Sequence, residues 1–206
     1  WHLLVPGEFT ADIVSTLQDV AIASALSIAL GFALGIAIHA LPRLRATLEP
    51  LLASYYAIPT FMFYPVFIVV FGVSDRAIIA IAVLLSIVAM IASTLTGLDR
   101  IPRVLRKTAA IYRMGLARRA LLIDLPAAAP HLFTGIKLAF AYAFIGVIAS
   151  EFILSGQGIG YQIAYAYNNF ENRKMYGLML LVIIVATVAN AVLDTIDRRL
   201  QSRLRR

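Results

Sequence analysis

Side chains capable of acid–base, nucleophilic or metal chemistry are few in this chain and lie far apart. The histidines stand at His2, His39 and His131, and the 206 residues contain no cysteine. Neither an HExxH pair nor a glycine-rich phosphate loop ending in Gly-Lys-Ser or Gly-Lys-Thr occurs. The sequence therefore predicts no catalytic residue, no metal site and no cofactor of its own, and no hydrolysis of ATP by this chain itself.

Glu151 is the one acid in a strongly apolar run, VIASEFILSG. A charge at the centre of a membrane helix costs roughly 2.5–3.5 kcal/mol, so this side chain should face protein or water. A structural role is slightly favoured, either as an ion pair with Lys174 or as a cap on a neighbouring helix. A role in an outer gate stays open. Direct binding of an anionic solute is not expected, because a fixed carboxylate repels anions.

The composition is that of a membrane protein. Hydrophobic residues make up 61% of the chain and charged residues 14%, with a mean hydropathy of +0.87. Soluble domains are closer to half apolar and a quarter charged. The net charge of +7 does not indicate nucleic-acid binding, because the basic residues form short runs between apolar segments, as topology signals do.

Five segments are long and apolar enough to cross a bilayer as helices, which takes about 20 residues. They are approximately residues 20–39, 51–73, 77–98, 132–154 and 175–194. The sequence thus predicts an all-α polytopic bundle in one domain, 1–206, with a loop at 99–131 and another at 155–174. If loop 99–131 is cytoplasmic, 15 of the 18 basic residues fall on that side, which places the N-terminus outside and the C-terminus inside. One further helix before Trp1 is expected.

The loop 99–131 is basic and helix-forming. RVLRKTAAIYR (103–113) contains no helix breaker, Met114-Gly115 interrupts it, and Leu116 to Asp124 predicts a second short helix that Pro126 ends. Two short helices around a glycine would form an elbow at the membrane surface. Its physics suits two roles equally well, as an interfacial hairpin on lipid phosphates or as a docking site for a protein.

Other residues in the spans predict packing or a pathway. Gly31 and Gly35 form a GxxxG pattern, which lets helices approach closely. Asn190 and Asp194 are expected to hydrogen-bond between helices. Proline loosens a membrane helix, which suits a moving wall. The predicted pathway or gate residues are Pro59, Phe61, Tyr64, Pro65 and Glu151, whereas Tyr55 and Tyr56 fit an aromatic belt at the inner interface.

The order Ala109-Ala110, Gly115 and Ile123-Asp124-Leu125-Pro126 resembles the "EAA…G…I-x-L-P" loop of bacterial ABC-transporter permeases of the binding-protein-dependent type. Residues 57–72 resemble that family's proline-containing pore helix. Residues 130–160 resemble the run with glutamate and Gly-x-Gly found in its nitrate, sulfonate and taurine branch. The resemblance covers roughly residues 12–200 and implies the fold of a type I, MetI-like importer permease, in which the loop forms a coupling helix on an ATP-binding subunit.

The resemblance assigns the ATPase contact to one set of loop residues: Lys107, Thr108, Ala109, Ala110, Arg113, Met114, Gly115, Leu125 and Pro126. Two registers are open. Counted from Ala109-Ala110, Ala109 stands in place of the usual glutamate and the interval from Gly115 to Leu125-Pro126 is about two residues short. Counted from Leu125-Pro126, Arg113 takes the glycine position and Lys107 the glutamate position.

The function implied is the permease subunit of an ATP-driven importer in the bacterial inner membrane. Its expected partners are an ATP-binding subunit that holds ATP and Mg²⁺, an external substrate-binding protein, a second permease subunit in a homodimer, and the lipid bilayer. The solute would be a small anion, such as nitrate, a sulfonate or taurine, or a heterocyclic vitamin or vitamin precursor. The aromatic residues of the predicted pathway favour the heterocycle. The alternatives are an ion-coupled secondary transporter, which would need paired titratable residues in the membrane, and a non-transporting scaffold.

Overall fold

Helices form all the regular structure of residues 9–204, which are the residues described by the computed structural model. Short 3₁₀ turns cover Tyr55–Ala57 and Thr60–Phe63, and a π-helical turn covers Ala120–Asp124. The helices are α1 (Thr10–Ala40), α2 (Pro42–Ser54), α3 (Tyr64–Phe71), α4 (Asp75–Asp99), α5 (Arg103–Ile111), α6 (Leu116–Arg119), α7 (Leu125–Leu154), α8 (Ile159–Asn168) and α9 (Asn172–Leu204). The expected all-α bundle is confirmed.

In the described part of the chain, four helical segments are long and apolar enough to cross a membrane. They are Thr10–Ala40, Asp75–Asp99, Leu116–Leu154 and Asn172–Arg199. A fifth crossing exists if the bent pair Pro42–Ala57 and Thr60–Phe71 counts as one span. Successive spans alternate in direction, so α1 and α4 run parallel, with Ser27 beside Ser86 and Gly35 beside Thr94, and α7 runs antiparallel to α4. The junctions at residues 40–42 and 99–125 therefore share one end with the C-terminal part of α9. We call this the basic end.

The predicted span 51–73 is not a straight helix. Its two pieces meet at an angle of 94°. Ile58 lies at the break in an extended conformation, with φ −84° and ψ 120°, which is the conformation that a following proline favours. Pro59 also has no backbone N–H to continue the helical hydrogen bonds. A single proline therefore breaks this span rather than loosening it.

The centre of the bundle is the contact between α1, α4 and α7. Small side chains make it close, with Val20 and Ala23 of α1 meeting Ala82 of α4 and Ala143 of α7 in one buried apolar cluster. A buried hydrogen bond of 2.5 Å joins the hydroxyls of Ser27 in α1 and Ser86 in α4. Such a bond satisfies two polar groups within an apolar core.

Gly31 and Gly35 lie where α1 crosses α4, and both are buried. A Cβ added to Gly35 would lie 2.6 Å from Cβ of Thr94, and one added to Gly31 would lie 2.7 Å from Cβ of Met90. Neither position has room for a methyl group unless the helices separate.

Pro126 does not end the helix that begins at Leu116, contrary to the prediction. The helix continues from Leu116 to Leu154, so α7 begins before the expected position 132. The π-helical turn Ala120–Asp124 precedes the proline, and Leu125 N–H donates to the carbonyl of Ala120 five residues earlier. The wider turn changes the hydrogen-bonding register just before a residue that has no N–H to donate, so the chain passes Pro126 without stopping.

Candidate functional site

The segment 100–123 projects cationic and apolar side chains and contains no acidic residue. Helix α5 and the loop after it leave Val104, Ile111, Tyr112 and Leu116 72–87% exposed. Exposed basic residues interleave with them, namely Arg103, Lys107, Arg113 and Arg118, and Arg119 is half-buried. We call residues 103–119 the elbow. A group of exposed apolar side chains with a positively charged rim is typical of an interaction site.

One polar contact joins the elbow to the end of α4, and a second lies within the segment that continues into α7. Arg106 Nη2 of α5 donates a 2.7 Å hydrogen bond to the carbonyl of Leu98, near the end of α4. At the other side of the elbow, Arg119 Nε lies 3.2 Å from Asp124 Oδ2. Arginine at a helix C-terminus is favourable because the last carbonyls of a helix lack partners. The elbow thus touches the end of α4 and continues into α7.

Tyr55 and Tyr56 lie at the bend, against the middle of the long helices. The Tyr55 hydroxyl donates a 2.6 Å hydrogen bond to the carbonyl of Leu84 in α4. Tyr56 stacks on Tyr142 of α7, with ring centroids 5.3 Å apart and planes at 26°. Leu84 and Tyr142 are central in their helices, so the predicted place of these tyrosines in an interfacial belt is wrong.

The predicted pathway residues follow directly after the break. Pro59, Tyr64 and Pro65 are exposed and Phe61 is half-buried. They surround the 3₁₀ turn Thr60–Phe63 and the start of α3. Thr60 itself is buried among them. The structure thus groups these four residues at the bend, whereas Glu151 lies elsewhere, at the opposite end of the bundle from the elbow.

Glu151 is 1% exposed and binds two neighbouring elements. Its carboxyl group accepts hydrogen bonds from the Thr16 hydroxyl, at 2.8 and 3.0 Å, and from the Gly160 N–H, at 2.9 Å. Gly160 is in the first turn of α8, so Glu151 caps that helix. Lys174 lies 3.9 Å from Glu171 instead, and the alternative ion pair with Glu151 is not formed.

The turn that leads to α8 is fixed from the same side. Gly158 has φ +98°, a conformation that glycine adopts at little cost. Its N–H donates a 2.7 Å hydrogen bond to Asp12, and the next N–H, of Ile159, donates 2.9 Å to the Thr16 hydroxyl. Together with Glu151, these contacts join the start of α1, the end of α7 and the start of α8.

Two ion-pair groups lie at the basic end. Arg45 of α2 forms a bidentate pair with Asp99 of α4, at 2.7 and 2.6 Å. Lys137 of α7 lies 2.9 Å from both Asp194 and Asp197 of α9, so Asp194 makes the interhelical contact expected of it. Asn190 is exposed. Among the side chains that the structure describes, those of residues 9–199, no group of three His, Cys, Asp or Glu could hold a metal ion.

The chain matches a known family over most of its length. The profile of the binding-protein-dependent transport system inner membrane component covers residues 27–206. This chain belongs to that family. It is a multi-pass inner-membrane component of a transport system, as the resemblance had implied.

Curated relatives are permeases named for different solutes. The chain is 28% identical to the nitrate import permease NrtB of Leptolyngbya laminosa, over 91% of this chain and 67% of that protein. It is 27% identical to the bicarbonate permease CmpB of Synechococcus elongatus (85% and 62%) and 26% identical to the formylaminopyrimidine permease ThiX of Halalkalibacterium halodurans (92% and 76%). The chain thus spans about two thirds of the length of the first two relatives.

A solved transporter has the same fold. An inward-facing structure of the MetNI methionine ABC transporter contains a chain that superposes with a TM-score of 0.78 at 17% identity, covering 92% of this chain and 94% of that one. The MetI-like fold class is confirmed.

The backbone of the elbow favours one of the two registers that the family pattern left open. Arg113 has φ +46°, in the left-handed region where glycine is preferred. Gly115 has φ −65° and ψ 158°, which any residue can adopt. Glycine would thus be favoured at position 113, which is the glycine position in the count from Leu125-Pro126; that count also assigns Lys107 to the glutamate position.

The elbow residues assigned by the resemblance differ in exposure. Ala109 is buried, Thr108 and Met114 are half-buried, and Lys107, Ala110, Arg113 and Gly115 are exposed. Leu125 and Pro126 belong to the first turn of α7. Leu125 and Pro126 therefore lie in α7, and the other seven assigned residues lie in the elbow.

The sequence did not identify three residues that organise these sites. Thr16, Tyr142 and Asp99 each contact a residue more than fifty positions away. Thr16 precedes the predicted span and Tyr142 is one of several aromatics within one. The only local signal was Asp99, an acid at the end of an apolar span next to a basic loop.

Proposed function

We propose that this permease forms the membrane pathway of an ATP-driven importer and is driven through its elbow by a separate ATP-binding subunit. The observation that carries the proposal is that one continuous helix joins the elbow to the core. The second half of the elbow runs without a break into α7, as the single helical segment Leu116–Leu154. Helix α7 packs against α1 and α4 in the core, so a displacement of the elbow is delivered to the centre of the bundle.

The surface of the elbow supports a protein partner. Apolar side chains that stay exposed beyond the bundle, such as Ile111 at 79% and Leu116 at 87%, are stabilised by burial at roughly 25 cal/mol per Å². The cationic rim of Arg103, Lys107 and Arg118 would orient an acidic partner. That partner binds ATP and Mg²⁺ and hydrolyses the ATP, and this chain holds no cofactor.

The remaining partners and the topology follow from the same assembly. The basic end lies in the cytoplasm, where the positive-inside bias places it, so the N-terminus of this chain is outside and the C-terminus inside. A second copy completes the pathway, and an external binding protein delivers the solute at the end that carries Glu151. The solute is a small anion or a heterocyclic vitamin precursor, in keeping with the nitrate, bicarbonate and formylaminopyrimidine named for the relatives.

A matched pair of glycine substitutions tests the docking. A Cβ at Gly115 in the elbow, or at Gly156 at the opposite end, would meet no atom within 4 Å. Gly115→Glu places an acid on the cationic surface without an internal clash, and Gly156→Glu adds the same charge away from it. The intact protein is purified from its native membrane under mild detergent, and co-purifying ATPases are identified by mass spectrometry.

The expected result is that wild type and Gly156→Glu bring down an ABC-type ATPase and Gly115→Glu does not, although all three insert into the membrane. If the wild type brings down no nucleotide-binding subunit, or if Gly115→Glu binds it as well as wild type, the elbow is not the docking site.

A further inference from the structure

Helix α2 is attached to the rest of the bundle at few points. None of its residues is buried, and its Leu48 and Leu52 pack against Ile38, Ile91 and Leu95. Its ends, in contrast, are fixed by short polar bonds. Arg45 bonds Asp99 in its first turns, and Tyr55, directly after its last residue, bonds the carbonyl of Leu84.

The bond at the first end is geometrically specific. Both terminal nitrogens of Arg45 reach Asp99, at 2.7 and 2.6 Å, and this two-point contact fixes direction as well as distance. His39 of α1 and Glu49 of α2 adjoin it, with His39 Nδ1 3.5 Å from Asp99 Oδ1 and Glu49 Oε1 3.8 Å from Arg45 Nη2. The pair is therefore the point where the ends of α1, α2 and α4 meet.

The elbow is bonded to the residue next to this pair. Arg106 of α5 donates to the carbonyl of Leu98 at 2.7 Å, one residue before Asp99. A short path of hydrogen bonds thus runs from the elbow through the end of α4 to α2. Helix α2 then leads to the bend, where Tyr56 stacks on Tyr142.

The elbow reaches the same point by a second path. Helix α7 is continuous with the elbow and carries Tyr142. The two paths therefore converge on the stacked tyrosines at mid-membrane, one through α7 and one through α2. A contiguous set of packed and hydrogen-bonded groups is what transmits a displacement between distant sites.

We propose that the Arg45–Asp99 pair is a positioning clasp, which makes the bent segment move with the elbow when the partner ATPase closes. The clasp rests on the proposed function, because it acts only if the elbow is driven. Without it, α2 keeps the contacts of Leu48, Leu52 and Tyr55, but its first turns are no longer tied to the end of α4 beside the elbow, so ATP would be hydrolysed without the coupled movement of α2.

The test follows α2 directly. The 206 residues contain no cysteine, so Leu51→Cys, on a side chain 62% exposed, introduces a label site for bimane in α2. The intact complex with its co-purified ATPase is reconstituted in nanodiscs of native lipid. Bimane emission is recorded before and after addition of ATP, Mg²⁺ and vanadate, and ATP hydrolysis is measured on the same preparation without vanadate.

Four variants in the Leu51→Cys background separate a clasp from a general structural role. Arg45→Ala and Asp99→Asn should lose the nucleotide-dependent emission shift while they still hydrolyse ATP. The reversed pair, Arg45→Asp with Asp99→Arg, should regain the shift. Arg43→Ala removes an exposed arginine from the same helix and should behave like wild type.

Other results would contradict either the clasp or the proposed function. A normal shift in Arg45→Ala overturns the clasp. So does a parallel loss of shift, hydrolysis and complex yield that the reversed pair does not restore, because that pattern is loss of folding. A wild-type complex that hydrolyses ATP with no shift also overturns it. If the wild type carries no ATPase at all, the proposed function fails, and the clasp fails with it.

Discussion

Removal of the Glu151 carboxyl group should destabilise the protein more than any surface change. The side chain is 1% exposed and accepts hydrogen bonds from Thr16 and Gly160. A net hydrogen bond contributes about 0.5–1.5 kcal/mol, and one to a charged group about 1.5–3. Glu151→Ala loses both bonds and leaves the Gly160 N–H buried without an acceptor, so we expect a loss of about 3–5 kcal/mol in the free energy of unfolding.

Glu151→Gln is the milder variant. The amide oxygen, placed at the Oε2 position, can still accept from the Gly160 N–H and the Thr16 hydroxyl, but the amide nitrogen replaces Oε1 as the second acceptor for Thr16. A loss of about 1–2 kcal/mol is therefore expected. Thr16→Val removes the hydroxyl that also accepts from Ile159 N–H. A double-mutant cycle between Thr16→Val and Glu151→Gln should therefore give a coupling energy of about 1 kcal/mol or more.

The assay is reversible unfolding by SDS in mixed micelles, followed by the helical circular dichroism signal. Glu171→Gln is the control, because Glu171 is an exposed acid in the same half of the molecule whose closest ion pair is 3.9 Å long. It should change the free energy of unfolding by less than about 0.5 kcal/mol. If Glu151→Ala were as mild as the control, the three-element junction around Glu151 would not stabilise the fold.

Three further substitutions test the packing of α1 on α4, the backbone of the elbow and the ion pairs of Lys137. Gly35→Leu should cost about 1–3 kcal/mol in the same unfolding assay, because its Cβ would lie 2.6 Å from Cβ of Thr94. Arg113→Gly should leave the elbow as stable or stabilise it by up to about 1 kcal/mol, since the left-handed conformation strains other residues; hydrogen exchange of the elbow amides measures this. Lys137→Met should lower the free energy of unfolding by about 1 kcal/mol, because it leaves Asp194 facing a second carboxylate without the cation between them.

Each of these changes has a matched control. Ala33→Leu enlarges an exposed position of α1 and should be tolerated, so an equal cost at both sites would rule out the close approach of α1 and α4. Arg113→Val should slow or prevent elbow formation, since a branched side chain is disfavoured at φ +46°; protection equal to wild type would contradict the assigned conformation. Lys137→Arg should keep most of the stability that Lys137→Met loses.

The apolar spans could be predicted from the sequence because the requirement is local. A run of about 20 apolar residues suffices to define a crossing helix, and α1, α4, α7 and α9 each contain the predicted run. The interruption at Met114-Gly115 was predictable for the same reason. The family pattern then identified the elbow, whose residues lie next to one another in the chain.

The errors have one local cause and one tertiary cause. Pro126 looks like a helix terminator, yet the π-helical turn before it lets the helix continue. Tyr55 and Tyr56 were placed at an interface because the span was assumed straight, and the break at Pro59 brings them to mid-membrane. The clasp joins positions 45 and 99, and no pattern in one sequence pairs two residues so far apart.

The π-helical turn Ala120–Asp124 has a mechanical consequence for the helix that contains it. A turn closed by a bond over five residues holds one residue more than a standard turn, and each residue of a helix contributes a rise of about 1.5 Å and a rotation of about 100°. If the π-helical turn changed to a standard α-helical turn, the residues from Leu116 to the turn would rotate relative to α7, and the helix would remain continuous. The helix between the elbow and the core can therefore rotate about its own axis at this turn, so that an axial displacement of the elbow becomes a rotation relative to α7.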